Sequence, residues 1–179
     1  MIPQHRSDAF RIEYLAAHPE HVAPLATLHH AQWHAMLPGW TYATAFAELA
    51  SHREGPAIPT TVVALAGDSL LGSCSLLADD HDHDATRAYS PWLASLFVLG
   101  PYRRQGIGRA LTARIVADAA ALGVGTLYLY THDAPGYYAA LGWREHAKYR
   151  FGAFEVDVMA IATDAGRIAQ DAAARTAHA

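Results

Sequence analysis

The sequence predicts a mixed α/β fold, a sheet with helices packed against it, and three observations carry that expectation. Apolar runs with a two-residue period or a β-branched character recur along the chain, as in Phe10-Arg-Ile-Glu-Tyr14 and Thr60-Thr-Val-Val-Ala-Leu65, and such runs form strands. Between them lies one stretch with helical spacing, with Ile107, Ala110, Leu111, Ile115, Ala119 and Leu122 on one side and Arg109, Arg114 and Asp118 on the other. Pro-Gly and Gly-Asp pairs, at Pro38-Gly39 and Gly67-Asp68, punctuate the runs.

Each element follows from its own residues. Ala9–Leu15 alternates Phe10, Ile12 and Tyr14 against Arg11 and Glu13, the pattern of a half-buried strand. Pro19 opens a helix to about Met36, with Val22, Leu25, Ala26, Leu28 and Trp33 available for its inner face. Pro38-Gly39 breaks it, and a second helix over about Thr44–Ser51 turns Phe46 and Leu49 inward. Pro56 and Pro59 mark a linker into a hairpin, Thr60–Leu65 and Leu70–Leu77, where Gly72 signals a bulge or a close backbone approach. Trp92-Leu-Ala-Ser-Leu-Phe-Val-Leu-Gly100 is a buried strand that leads into the helix at 107. Gly123 and Gly125 close that helix, and Thr126–Thr131 is a strand with Tyr128 and Tyr130 on one face. Pro135 starts a short helix that Gly142 ends, and Arg144–Tyr149 with Glu155–Ile161 forms a last hairpin. From Ala162 the chain turns alanine-rich, so residues 1–161 read as one domain and 162–179 as a tail or short helix.

Composition narrows the functions. A chain of 179 residues with 52% hydrophobic and 17% charged residues is an ordinary globule, and a net charge of −4 excludes bulk attraction to nucleic acid or anionic membrane. The single cysteine, Cys74, allows no intrachain disulfide and reads as a small buried side chain rather than a nucleophile. The start shows no apolar signal segment, and no run is long enough to span a bilayer, so the expected location is the cytoplasm.

The chemistry concentrates where the strand from Trp92 meets the helix at 107. A helix N-terminus offers unpaired N–H groups and partial positive charge; glycines let a bulky anion approach, and arginines add forked donors. The turn carries Arg103, Arg104, Gly106 and Gly108, a site suited to a pyrophosphate. A Walker A loop would need a Gly-Lys-Ser/Thr that is missing, and a Rossmann fingerprint would need glycine where Leu111 stands. A plain glycine-rich turn without a ligand is the competing reading.

The spacing Arg103-Arg-Gln-Gly106-Ile-Gly108 after an apolar strand resembles the coenzyme A loop of the GNAT superfamily of N-acetyltransferases, and Tyr102 and Ile107 are similar to the family too. A second stretch also resembles that family: Tyr137-Tyr138 followed by Leu141-Gly142-Trp143. The chain departs from the pattern at Ala139-Ala140, where charged residues are usual, and at Thr131-His132-Asp133, where an asparagine is usual. The resemblance spans roughly Phe10 to Ile161. It implies a mostly antiparallel twisted sheet of about seven strands with about four helices, splayed between the fourth and fifth strands. It also implies an acetyl-CoA co-substrate, an amine acceptor and no required metal, with room for a homodimer.

By that resemblance Leu96, Phe97 and Val98 lie along the pantetheine, and a backbone N–H there, that of Val98 preferred, polarises the thioester carbonyl. Arg103, Arg104, Gln105, Gly106, Ile107, Gly108 and Arg109 hold the pyrophosphate, and Tyr138 returns a proton to the leaving thiolate. A free tyrosine near pKa ~10 protonating a thiolate near ~8.5 runs uphill by about 2 kcal/mol, so the transfer must be late or coupled. The Trp92–Val98 strand has no carboxylate, which leaves His132 as first candidate for the base, ahead of Asp84 and His34. His29, His30, Trp33, His34, Trp40 and Tyr42 form either an acceptor-binding wall or core filling; the resemblance favours Trp33 and Trp40 as acceptor contacts. Asp79-Asp-His-Asp-His-Asp84 reads as a solvated acidic loop that draws in a cationic acceptor, with metal binding as the other reading. The leading function is therefore an N-acetyltransferase acting on a small-molecule or peptide amine. A non-catalytic acyl-CoA sensor with a blocked acceptor cleft and a histidine-rich metal protein are the alternatives.

Overall fold

The computed structural model describes residues 10–80, 88–151 and 153–167. Seven strands form one sheet in the order β1-β2-β3-β4-β5-β7-β6. These are β1 (Arg11–Tyr14), β2 (Thr60–Ala66), β3 (Ser69–Leu77), β4 (Trp92–Val98), β5 (Thr126–Thr131), β6 (Arg144–Phe151) and β7 (Phe154–Ala162). The helices are α1 (Val22–Trp33), α2 (Tyr42–Ser51), α3 (Ile107–Ala121) and α4 (Pro135–Ala140). All neighbours run antiparallel except β4 and β5, which are parallel and paired at Trp92↔Tyr128. Past that rung the two strands part, and the expected splay opens there.

Strand alternation sends successive β2 side chains to opposite faces. Val63 and Leu65 pack with Leu15, Leu25, Ala26, Ala45 and Leu49 under α1 and α2. Val62 and Ala64 pack with Leu111, Ile115 and Ala119 of α3 and with Leu127 and Leu129 of β5. A strand covered on both faces needs the unbroken apolar run that β2 carries. Leu111 and Ile115 are fully buried, each contributing about 1.5–3 kcal/mol.

Several boundaries and orientations depart from expectation for local reasons. Pro19–His21 forms a 3-10 turn and the α-helix proper starts at Val22, with Pro24 in its first turn where no N–H is needed. The Thr41 hydroxyl accepts from the Thr44 N–H at 3.2 Å, so α2 begins at Tyr42 rather than near Thr44. Its inner line is then Ala45 and Leu49, and Phe46, expected inside, is 39% exposed beside Tyr42. Leu122, also expected inside, is 42% exposed because α3 ends at Ala121 and Gly123 turns the chain with φ +77°. Asp118, expected on the outer side, is buried; it accepts from Arg114 Nε at 3.1 Å and from the Tyr14 hydroxyl at 3.2 Å. The start of the tail is ordered against the sheet: a helical turn begins at Asp164, and Gly166 packs so closely on Gly125 that an added Cβ would lie 2.0 Å from the Gly125 oxygen. The residues before Phe10, the acidic loop beyond Asp80 and the tail beyond Arg167 lie outside the described residues. Among the described residues no helix is long and apolar enough to cross a membrane.

Candidate active site

The strand-to-helix turn is shaped by its backbone. Gly106 caps α3 from the left-handed region at φ +84°, and Arg104 also holds a positive φ of 62°. The first helical bond runs from the Ala110 N–H to the Gly106 carbonyl at 3.0 Å, so the amides of Ile107, Gly108 and Arg109 precede the helical ladder. No side chain caps them. Arg103, Arg104, Gln105 and Arg109 are exposed around this end. The Arg103 Nε–H donates to the Val98 carbonyl at 2.8 Å, and the Gln105 side chain donates to the Pro101 carbonyl at 3.1 Å. A Cβ on Gly108 would lie 2.8 Å from the Tyr137 hydroxyl, so a side chain there has to push that exposed ring aside.

β4 supplies a free edge. The Leu99 N–H donates to the Leu71 carbonyl at 2.9 Å, and N–H groups alternate edges along a strand, so the Val98 N–H points away from β3 toward the splay. The register slips where Ser73 and Ser75 of β3 pair with Phe97 and Ala94, so the extra residue lies in β4, and Ser95 within this bulge takes φ +53°. Gly72 stands opposite Val98; a Cβ there would lie 2.5 Å from the Phe97 oxygen, the close approach its place in the strand foretold. Backbone held in a rarely populated region on both sides of one cleft is a mark of functional sites.

A cavity of about 840 Å³ runs from the turn along this edge to a wall built by α1, α2 and the end of β3. Arg103, Arg104, Gly106, Gly108 and Arg109 line one end. Leu96, Phe97 and Val98 of β4 line the middle, and Tyr138 and His132 line the same cavity. Trp33, Trp40, Glu48, Asp79, Asp80 and Tyr130 line the far end. The cavity thus gathers every expected cofactor and acceptor residue except Gln105 and Ile107, the latter buried under the loop. His34 does not line it; its Nδ1 lies 2.9 Å from the His30 carbonyl on the surface, and Asp84 lies outside the described residues.

Each side chain has a definite setting. Tyr138 is buried at 8% exposure, edge-on to Tyr137 and Trp143, and burial pushes its phenol well above the ordinary value. The same burial raises the nearby Cys74 thiol far beyond its usual range, so it stays neutral and packs. His132 lies with Nδ1 3.0 Å from the Glu155 carbonyl and its ring against Phe154. Since a carbonyl only accepts, Nδ1 carries the proton and Nε2 is the basic atom. His29, one of the six aromatic candidates, belongs to the core, where its Nε2 lies 2.9 Å from the Ser73 hydroxyl and its ring edge touches Trp33.

Sequence reasoning left Glu48 and Tyr130 out of the site and read Asp80 only as part of the acidic loop Asp79–Asp84 that draws in a cationic acceptor. The Trp40 indole donates to Glu48 at 3.4 Å, and burial raises the Glu48 carboxyl above the ordinary range. Burial and the neighbouring Glu48 charge push Asp80 up to about 7, and Tyr130 is raised well above its usual value by burial and by both carboxylates. The one signal that could have found them was the alternation that puts Tyr130 on the same face as Tyr128, two residues past the last β4–β5 rung. Among the described residues, one group brings metal-ligand atoms together, His18, Glu20 and His21 within 4.8 Å, and none of the three lines the cavity.

Comparison with known proteins agrees with this geometry. The family profile described as "Acetyltransferase (GNAT) family" matches residues 25–143. Three solved structures share the fold. Aminoglycoside 6'-acetyltransferase type Ii is 19% identical over 86% of this chain and 96% of its own, with a TM-score of 0.66. The ribosomal-protein-S18-alanine N-acetyltransferase from Escherichia coli is 20% identical over 87% and 94%, at 0.62. The yncA protein from Salmonella typhimurium, solved with its cofactor acetyl-CoA, is 17% identical over 87% and 95%, at 0.59. None of the curated proteins matches the chain.

Proposed function

The chain belongs to the acetyltransferase (GNAT) family, and from that premise we propose that it moves an acetyl group from acetyl-CoA to a primary amine of a small molecule or peptide. The observation that carries the reading is one continuous cavity joining an uncapped helix N-terminus, a free strand edge and an aromatic, acidic wall. The pyrophosphate rests on the amides of the α3 turn, with Arg103, Arg104 and Arg109 around it. The acyl carbonyl meets the Val98 N–H, which stabilises charge developing on oxygen. The amine, held between Trp33 and Trp40, attacks the carbonyl carbon; the C–N bond forms and the C–S bond breaks. His132 Nε2, in the same cavity at the end of β5, is the candidate that the sequence motif offers to accept the amine proton.

Tyr138 gives its proton to the thiolate. Its raised pKa makes it a weak acid, but a thiolate formed in the same dry cavity gains proton affinity by the same desolvation, as Cys74 illustrates. The relatives' names speak for amine chemistry without fixing acceptor size, since one acts on an aminoglycoside and another on a protein alanine. A sensor with a blocked acceptor side would lack the opening that reaches Trp40.

The test is an amine panel with acetyl-CoA and detection of free thiol. Amine-dependent release is expected, and Tyr138→Phe is expected to lower kcat by about a hundredfold with acetyl-CoA affinity unchanged. Thiol release that no amine accelerates would defeat the reading, and an unaltered kcat in the variant would remove Tyr138 from the chemistry.

A further inference from the structure

We propose that Asp80 is the catalytic base and that Glu48 is its positioning partner, so that the proton leaves the amine toward the end of β3 rather than toward His132. The inference rests on the N-acetyltransferase reading of the cavity. Its first support is topological. Leu77 of β3 pairs with Trp92, the first residue of β4, so Asp80 emerges three residues on, beside the root of the strand whose free edge lines the cavity. Tyr130 flanks it from β5, two residues beyond the rung that joins β5 to Trp92. Glu48 reaches the same wall from α2 and is oriented by the Trp40 indole. Among the described residues, the charged and titratable groups beside Asp80 are Glu48 from α2 and Tyr130 from β5, with Asp79 next to it along the chain.

The second support is chemical. Two carboxylates in a half-buried wall repel, and a cation placed between them relieves the repulsion. The protonated acceptor amine is such a cation. Asp80 takes one proton from the ammonium and sheds it to solvent; the nitrogen pair of the neutral amine then attacks the acyl carbon, Asp80 takes the second N–H proton, the C–S bond breaks to a thiolate that Tyr138 protonates, and the Tyr138 phenolate recovers its proton from the Asp80 carboxyl. A base with a pKa near 7 suits this step, whereas an ordinary carboxylate would be too weak. His132, by contrast, is exposed at the end of β5 with Nδ1 engaged by a main-chain carbonyl.

The experiment follows kcat/KM against pH from 5 to 9, with alanine amide and Nα-acetyl-lysine amide as acceptors. Wild type should rise through about pH 7 as Asp80 ionises. Asp80→Asn should lose that rise and fall by about a hundredfold, and Asp80→Glu should restore part of it. Glu48→Gln removes the neighbouring charge, so the rise should move to lower pH, by about half a unit or more. Acetyl-CoA binding by calorimetry should be the same in wild type and Asp80→Asn, which shows that the variant is folded. A pH rise kept in Asp80→Asn, or lost in His132→Ala, overturns the proposal while leaving the acetyltransferase reading intact. A wild type that binds acetyl-CoA but acetylates neither amine overturns both.

Discussion

The two ends of the cavity are built on opposite plans. The α3 end is made of backbone: a left-handed glycine, three amides ahead of the helical ladder and a strand edge turned outward. Beneath it lies an apolar floor of Val62, Ala64, Leu111 and Ile115. The α1–α2 end is made of side chains, Trp33, Trp40, Glu48 and Asp80, contributed by separate elements. The same helices also carry buried polar contacts to the sheet: His29 of α1 meets Ser73 at 2.9 Å, and His52 at the end of α2 meets Thr61, which in turn meets Ser75 at 2.8 Å. On the proposed function, a co-substrate common to a whole family is met by main chain, which substitution barely alters, and an acceptor particular to one protein is met by side chains, which substitution alters freely.

That contrast can be broken or sharpened by experiment, and acid acts most strongly. His29 and His52 are buried neutral, and burial pushes them down to about 3 and about 4 from 6.5. Below pH 6.5 the unfolded chain binds protons that the folded chain does not, so stability is full above that pH and falls as pH drops toward 4. Each histidine costs about 1.4 kcal/mol per pH unit in this window, and the pair together about 4 kcal/mol at pH 5. Urea midpoints at pH 7.5 and 5 measure it, and a His29→Asn, His52→Asn double variant should lose most of the slope. Next in size, Gly108→Val should weaken acetyl-CoA binding by about thirtyfold, close to 2 kcal/mol, because its side chain displaces the Tyr137 hydroxyl and fills the cavity in front of the α3 amides. Trp40→Ala should raise the acceptor KM about five- to tenfold, with acetyl-CoA binding unchanged. Arg104→Ala should weaken acetyl-CoA binding only a few-fold, and less at high salt, because its exposed charge is screened. If Arg104→Ala cost more than Gly108→Val, the backbone plan for the α3 end would be wrong.

The same contrast decides what could be read beforehand. The element order, the α3 turn and the Tyr138 stretch are local patterns, in which a glycine, a proline or a period of 2 or 3.6 encodes the geometry on the spot. Glu48 and Tyr130 carry no such pattern, and the acidic run that contains Asp80 does not say where it lands, because the meeting of the three depends on α2, β3 and β5 converging. Asp118 was misread for the same reason, its partner Tyr14 lying 104 residues away. Phe46 was misread because the buried line runs through Ala45 and Leu49, four residues apart, which leaves Phe46 on the outer side with Tyr42.

One missing methyl group governs how the two plans are joined. At Gly72 the oxygen of Phe97 sits where a side chain would begin, so β3 and β4 lie closer there than any other residue would permit. Position 72 touches neither end of the cavity, yet even alanine would wedge β4 outward and tilt the Val98 N–H off its line. The aim of that one amide is therefore set from behind, by an atom the chain does without.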